Sequence, residues 1–356
     1  MFEKMKDVYH LLGDDESKKI FKNRVLWNLS GERKYINKIV DVYFERMKRT
    51  WTSPEHMDAV KNMRHLIGKR KVIVYGIGNC GLVTLALLCS QMQDIELIAF
   101  CDKVVGQVTE FHGYRVIRVE DIVRDYGDAA VLITPVNENL KKEIIYTLIE
   151  NGVNKNQIVE ELPFDDWVIR EQYFDKVITL DQGEVFIDAG AFNCGTDIDF
   201  IKRCPDYKEI IAFEPDPELY MNCLNKVKAY QMRDIKIHNI GLWRKKEMRS
   251  FLKGGAGGCI SDKGTLMVRL DTLDHMLSES VSFIKMDIEG AELKALEGAQ
   301  NTIMNYKPKL AICVYHKPED IIEIPLYLHK IVPEYAFYLR HHSKGDGETV
   351  LYAVIK

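Results

Sequence analysis

Val185-Phe186-Ile187-Asp188-Ala189-Gly190-Ala191-Phe192-Asn193-Cys194-Gly195 and, one helix later, Ile210-Ile211-Ala212-Phe213-Glu214-Pro215-Asp216 decide the fold of this chain. Each begins as a short apolar run and ends in a carboxylate, the pattern of a buried strand in an α/β sheet. The first passes into a turn of small residues that opens a helix. Ligands of such sheets sit outside the carboxyl ends of the strands. Glu214 follows the turn by about 25 residues, the distance at which a ribose-binding acid falls. Asp188 stands where a dinucleotide fold leaves room for pyrophosphate. A carboxylate there repels phosphate and suits a ligand with an amine and a cationic centre. S-adenosylmethionine has that pattern: a ribose, an amino group, a sulfonium and no phosphate. An ordinary βαβ unit with a loop acid would share each half of the pattern; the ordered pair favours the ligand-binding reading.

A third passage, Ser282-Phe283-Ile284-Lys285-Met286-Asp287-Ile288-Glu289-Gly290-Ala291-Glu292, runs from an apolar strand into a helix. With it the series is complete: Asp188-x-Gly190-Ala191-x-x-x-Gly195, Phe213-Glu214-Pro215, Gly241-Leu242-Trp243, Lys285-x-Asp287-x-Glu289-Gly290-x-Glu292, Tyr315-His316-Lys317-Pro318-Glu319-Asp320, and Glu348 to Ala353. From about residue 165 to 356 the chain resembles the FkbM family of S-adenosylmethionine-dependent methyltransferases. The first two motifs are common to many methyltransferases; the third, with Tyr315-His316 after it, is specific. The resemblance implies five parallel strands and a terminal hairpin.

The chain has 356 residues and a net charge of only −4. That length suggests two or three domains. The mixed charge advertises no nucleic-acid surface. Met1 to His10 is charged and lacks a signal-peptide core. The apolar stretch Leu82 to Cys89 is far shorter than the ~20 residues a membrane span needs. A cytoplasmic protein without a membrane partner is the expectation. The eight cysteines form no C-x-x-C pair and no zinc-finger spacing, so buried free thiols are expected. Cys194, inside the turn, reads as a space-filling residue.

The fold class expected is α/β: two Rossmann-like units in tandem, the second a class I methyltransferase sheet with a C-terminal β-hairpin, preceded by an N-terminal helical segment. The segment is 1–68, with a break at Leu11 to Ser17 and an apolar helical pattern through Phe21, Val25, Leu26 and Leu29. The first Rossmann-like domain is 69–162. Its strand Lys71 to Tyr75 meets Gly76-x-Gly78-x-x-Gly81 and an apolar helix, Leu82 to Met92. Asp102 ends the next strand about 20 residues later, as a ribose ligand would. Phe100 to Asp102, Gly106 and Gly113 to Ile117 also resemble the head domain of bacterial sugar acyltransferases. A degenerate unit used for packing is the competing reading. Residues 163–356 form the methyltransferase-like domain. Within it, Trp243 to Ser280 is an insertion whose Gly254, Gly255, Gly257 and Gly258 suit a mobile flap or a simple hairpin loop.

Methyl transfer from a sulfonium is an in-line displacement that needs alignment and shielding from water. A hydroxyl acceptor also needs a base, which contributes about 10²–10⁴-fold. His316, after the strand Leu310 to Tyr315, is the candidate base, with an unperturbed pKa of ~6.5; His341 and His342 are runners-up. Asp287 is placed to hold the acceptor, orient the base, bind cofactor, or ligate a metal with Glu289. A divalent metal stays open. Lys285 in its apolar strand needs a partner, and Asp287, on the same strand face, is the expected one. Glu289 and Glu292 read as first-turn acids favouring a helix dipole. The cofactor set is Asp188, Gly190, Ala191, Gly195, Glu214, Asn239 and Asp287, with His238 and Asn239 flanking adenine.

The function expected is O-methylation of a hydroxyl on a sugar or other small molecule. Its rivals are an NAD(P)-dependent oxidoreductase or a nucleotide-sugar-binding protein using Gly76, Gly78, Gly81 and Asp102, and a non-catalytic S-adenosylmethionine-binding scaffold. A homodimer stays open.

Overall fold

The computed structural model describes residues 1–52, 56–68, 70–160, 162, 171–277 and 279–356. The junction expected at 162/163 adjoins residues 163–170, outside the described ones. Two compact units are present: Val40–Ile169, and Met1–Ile39 together with Arg170–Lys356. The N-terminal helices therefore do not stand as a separate segment. The first two, Phe2–Leu11 and Asp15–Ser30, belong to the unit formed by the C-terminal half, and the helix Arg33–Thr50 carries the chain into the other.

In the Val40–Ile169 unit, β1 (Val72–Tyr75), β2 (Leu97–Cys101), β3 (Glu110–Phe111), β4 (Tyr114–Ile117), β5 (Ala130–Ile133) and β6 (Ile158–Val159) form one sheet in the order β3-β4-β2-β1-β5-β6. All its pairings are parallel except β3 with β4. Every residue of β1 and β5 is buried, as an apolar run covered on both faces requires. The helices Asn79–Gln91, Val119–Asp125 and Glu138–Glu150 supply the crossovers.

The other unit holds β7 (Val185–Ala189), β8 (Glu209–Phe213), β9 (Ile235–His238), β10 (Gly241–Leu242), β11 (Glu247–Leu252), β12 (Cys259–Ile260), β13 (Leu266–Asp271), β14 (Phe283–Met286), β15 (Lys309–Cys313), β16 (Tyr335–His341) and β17 (Thr349–Ile355). Seven of these make a sheet in the order β16-β17-β15-β14-β7-β8-β9. β9, β8, β7, β14 and β15 run parallel; β17 is antiparallel to β15, and β16, antiparallel to β17, points the same way as the five. The order reverses between β7 and β14, and a crevice opens beyond the carboxyl ends of strands at such a switch point. The side facing the helix Gly195–Arg203 is filled by stacked rings: Phe186 lies 4.4 Å from Phe200 and 5.0 Å from Phe283. Aromatic burial of this kind dominates core energetics.

β16 would be an exposed edge, a template for unwanted pairing. The N-terminal helices cover it. Gly13 N–H donates to Phe337 O, the Ser17 hydroxyl accepts from Leu339 N–H, and Arg340 reaches the Asp14 carboxylate at 2.7 Å. Asp14 also caps the second helix through Ser17 N–H, so the break expected at Leu11 to Ser17 is where the chain docks.

The insertion folds into a second sheet, β10-β13-β11-β12, with Gly255–Gly257 as a tight turn between β11 and β12. Its pairings β11–β12 and β11–β13 are antiparallel. Among the described residues, no helix is long and apolar enough to cross a membrane.

Candidate active site

Two adjoining cavities line the crevice. One is bounded by Gly190, Phe213, Glu214, Leu242, Phe251 and Ile260, the other by Tyr173, Asn193, Gly195, Asp199 and Lys285; Gly190, Phe192, Ala256 and Asp287 belong to both.

The turn after β7 is forced to be tight. Gly190 has φ +85°, and a Cβ there would lie 2.0 Å from the carbonyl oxygen of Asp287. No other residue fits without moving β14. Gly190 and Ala191 N–H donate to Phe213 O, tying the turn to β8. Cys194 takes a left-handed conformation and Gly195 begins the helix, its N–H held by Asn193 Oδ1. The Cys194 thiol is pushed up, first by its hydrogen bond with Cys223 and then by burial, so it is no nucleophile.

Glu214 closes β8 and faces the first cavity. Its Oε2 accepts from Phe192 N–H at 2.9 Å and its Oε1 from Asp216 N–H at 2.9 Å. Burial pushes its carboxyl up, and these two bonds oppose the shift. Each oxygen keeps a lone pair for a ligand hydroxyl. Asn239 does not line either cavity; its amide donates to Glu214 O and Pro215 O and so holds the loop that carries Glu214. His238 stacks on Phe213, 5.3 Å between centroids.

Lys285 differs from expectation. Its ammonium lies 2.8 Å from Asp188 Oδ1, not on Asp287, and donates also to the carbonyls of Ala189 and Gly190. The reason is register. Lys285 sits beside Asp188 across the parallel β7–β14 pair, whereas Asp287 is two residues further along the strand. Burial opposes the charge of Lys285, but Asp188 and Asp287 outweigh it and keep the ammonium protonated. Asp188 is fully buried and lines neither cavity; it reaches the turn through Lys285.

Asp287 stands at the junction of the cavities. Its Oδ2 accepts from the Tyr173 hydroxyl at 2.6 Å. Its Oδ1 lies 3.4 Å from His316 Nε2, and Glu289 Oε1 is 3.5 Å from the same nitrogen. His316 Nδ1 is 2.9 Å from Glu292 Oε1. A neutral base near pKa 6.5 is therefore not what the fold supplies. Burial disfavours the imidazolium, but hydrogen bonding and charge from Glu289, Glu292 and Asp287 win, and the pKa rises to about 10. Glu292 is fully buried and accepts from Ile288 N–H as well as facing His316, so it is more than a first-turn acid. Asp320, below the same cluster, is pushed up to about 7 by burial and by Glu292.

His341 and His342 are buried in the β16–β17 hairpin, on Thr349 Oγ1 at 3.0 Å and the Tyr352 hydroxyl at 2.9 Å, and line neither cavity. Sequence reasoning missed Tyr173, which bonds Asp287 and lies under the Lys285 ammonium, 5.1 Å from its ring centroid. It comes from an irregular segment with no strand or helix pattern to place it. The free state of all eight cysteines is as expected.

In the other unit, Gly76 has φ +111° and Gly81 packs so closely that a Cβ would meet Gly76 O at 2.1 Å. A Cβ on Gly78 would meet open space. Asp102 Oδ2 accepts from Ile77 N–H at 3.0 Å and Oδ1 from Val104 N–H at 3.1 Å.

A doubly wound sheet with a glycine turn and a strand-end acid at its switch point defines a nucleoside-binding α/β protein of the methyltransferase type. Residues 188–337 match the methyltransferase FkbM domain, and this stretch of the chain is such a domain. Residues 68–159 match the C2185-like N-terminal domain. Among solved structures, the chain is similar to methyltransferase FkbM from Methylobacillus flagellatus KT, with 20% identity over 90% of this chain and 100% of that one and a TM-score of 0.46. A SAM-dependent methyltransferase from Aquifex aeolicus is 17% identical over 54% of this chain and 100% of its own, with a TM-score of 0.33. An rRNA methylase from Streptococcus thermophilus is 15% identical over 50% and 90%, with a TM-score of 0.33. A comparison with curated proteins returns no match.

Proposed function

We propose that the unit carrying the FkbM domain transfers a methyl group from S-adenosylmethionine to a hydroxyl of a sugar or other small molecule. The observation that carries this reading is the crevice itself. Glu214 is buried at the end of β8 with lone pairs left for a ribose, and the Gly190 turn is pressed against β14 so that backbone, not side chain, meets the ligand. The Lys285–Asp188 pair stiffens that turn from behind through the carbonyls of Ala189 and Gly190. Asp287, shared by both cavities, marks where cofactor and acceptor would meet. His316 lies behind it as an imidazolium among carboxylates, and in that state it cannot accept a proton. Chemistry then rests on alignment and on excluding water, as an in-line displacement requires.

Calorimetry with S-adenosylhomocysteine, NAD and NADP on the purified chain tests the reading. Tight binding of S-adenosylhomocysteine supports it; NAD binding in its place overturns it.

The Val40–Ile169 unit supports a second activity, binding of the nucleotide part of an activated sugar. A diphosphate can lie on the N-terminus of the helix Asn79–Gln91, over the open face of Gly78, with Asp102 beside it. Titration with UDP- and CMP-sugars tests this, and a packing role stands if none binds.

A further inference from the structure

We infer that Asp287, Glu289 and His316 form a site for one first-row divalent cation, open toward the cavity shared by cofactor and acceptor. One ligand atom from each residue lies within 4.8 Å of the others. The distances from His316 Nε2 to Asp287 Oδ1 and Glu289 Oε1, 3.4 and 3.5 Å, are too long for good hydrogen bonds. They equal the edge of a ligand tetrahedron with metal bonds of ~2.1 Å, about 3.4 Å.

Two of the three ligand atoms have no other use. His316 Nε2 and Asp287 Oδ1 are buried without a hydrogen-bond partner, and the His316 side chain is only 7% exposed. A buried polar atom without a partner costs about 1–3 kcal/mol, and two facing each other ask for a common ligand.

The surroundings orient the ligands as a metal site requires. Glu292 can only accept, so His316 Nδ1 carries the hydrogen between them; a cation would displace the Nε2 proton of the metal-free imidazolium, and the lone pair so released points at Asp287 and Glu289. A carboxylate behind a ligating histidine is the usual outer partner of a metal. The Tyr173 hydroxyl does the same for Asp287 by taking Oδ2 and leaving Oδ1 inward. Glu289 has φ +54°, a conformation that costs a non-glycine residue about 1–3 kcal/mol and that aims its carboxylate back at His316. A set of two oxygens and one imidazole nitrogen suits manganese- or zinc-like ions, with remaining positions for water or a hydroxyl.

The use of the ion rests on the methyl-transfer reading. An acceptor hydroxyl bound to it would lose its proton to water more readily. Its oxygen then attacks the methyl carbon, the carbon–sulfur bond breaks, and the electron pair leaves with sulfur as a neutral thioether.

The test uses the full chain after chelator treatment, titrated with Mn²⁺ alone and followed by its electron spin resonance signal. S-adenosylhomocysteine affinity is measured on the same sample. One Mn²⁺ per chain is expected, with binding at least ~10-fold weaker in Glu289→Gln and in His316→Gln. Asp262→Asn, at an acid 95% exposed, should bind as the parent does. A folded parent that binds S-adenosylhomocysteine but no Mn²⁺ overturns the site and leaves the methyltransferase reading standing. Equal Mn²⁺ affinity in both ligand variants also overturns it. Mn²⁺ binding with the expected losses, in a chain that ignores S-adenosylhomocysteine, supports the site and overturns methyl transfer instead.

Discussion

The two glycine turns of this chain are built on the same plan up to their third strand. Gly76 N–H donates to Cys101 O and Gly190 N–H to Phe213 O. Asp102 accepts from Ile77 and Val104 N–H, and Glu214 from Phe192 and Asp216 N–H, in the same pattern. Thr134 N–H meets Tyr75 O at 3.1 Å, and Asp287 N–H meets Ala189 O at 3.1 Å. Then they part. β5 and its exit offer Leu132, Thr134 and Val136, where β14 and its exit offer Lys285, Asp287 and Glu289. A strand, a glycine and an acid thus make the same turn in either unit. The reactive groups of one unit come from the strand on the other side of the switch point, and the other unit carries no charge there.

The sharpest way to break this comparison is Lys285→Met. It leaves Asp188 as a buried, unpaired charge, and loss of one partner of such a pair costs about 3–5 kcal/mol. Denaturant unfolding should show it, whereas Leu132→Met, at the matching place on β5, should cost less than ~1.5 kcal/mol. Equal losses would mean that Lys285 is not holding the turn.

Next in size is Gly190→Ala. Backbone strain and overlap with Asp287 O should together cost about 2–4 kcal/mol and abolish S-adenosylhomocysteine binding. Gly78→Ala, where a Cβ meets open space, should change stability by less than ~0.5 kcal/mol. A tolerant Gly190 would show that the turn is looser than its contacts imply.

Glu214→Ala should weaken S-adenosylhomocysteine by about 1–3 kcal/mol through lost charged hydrogen bonds. Asp102→Ala should leave that affinity untouched. If calorimetry finds the two variants equal, Glu214 does not hold the ribose.

The smallest expected effect is on the second activity. UDP- or CMP-sugars should bind the parent in the micromolar to millimolar range. Gly78→Val should remove that binding without altering S-adenosylhomocysteine affinity. Retained binding would place the nucleotide elsewhere.

Much of this was legible in the chain. Gly190, Glu214 and Asp287 are local signals: a strand pattern sets which residue falls at its carboxyl end, and a sheet puts its ligands there. The glycine at 76 and the acid at 102 could be read the same way. What could not be read depended on which strands are neighbours. The alternation of β14 puts Lys285 and Asp287 on one face and so suggested that they pair. The lateral neighbour across β7 is nearer, and Asp188 takes the ammonium.

His316 shows the same division. Its place after β15 follows from the apolar run before it. Its charge does not, because Glu292, Glu289 and Asp287 come from the end of a different strand and the helix after it. By itself the sequence determined the strand order of events along the chain, the two turns and the acids that follow them, since these depend on residues a few positions apart. Only the tertiary structure decided that the N-terminal helices cover β16, that Tyr173 holds Asp287, and that a histidine expected to take protons sits protonated among three carboxylates. Electrostatic environment is a sum over neighbours in space, and those neighbours lie from 24 to 114 residues away along the chain.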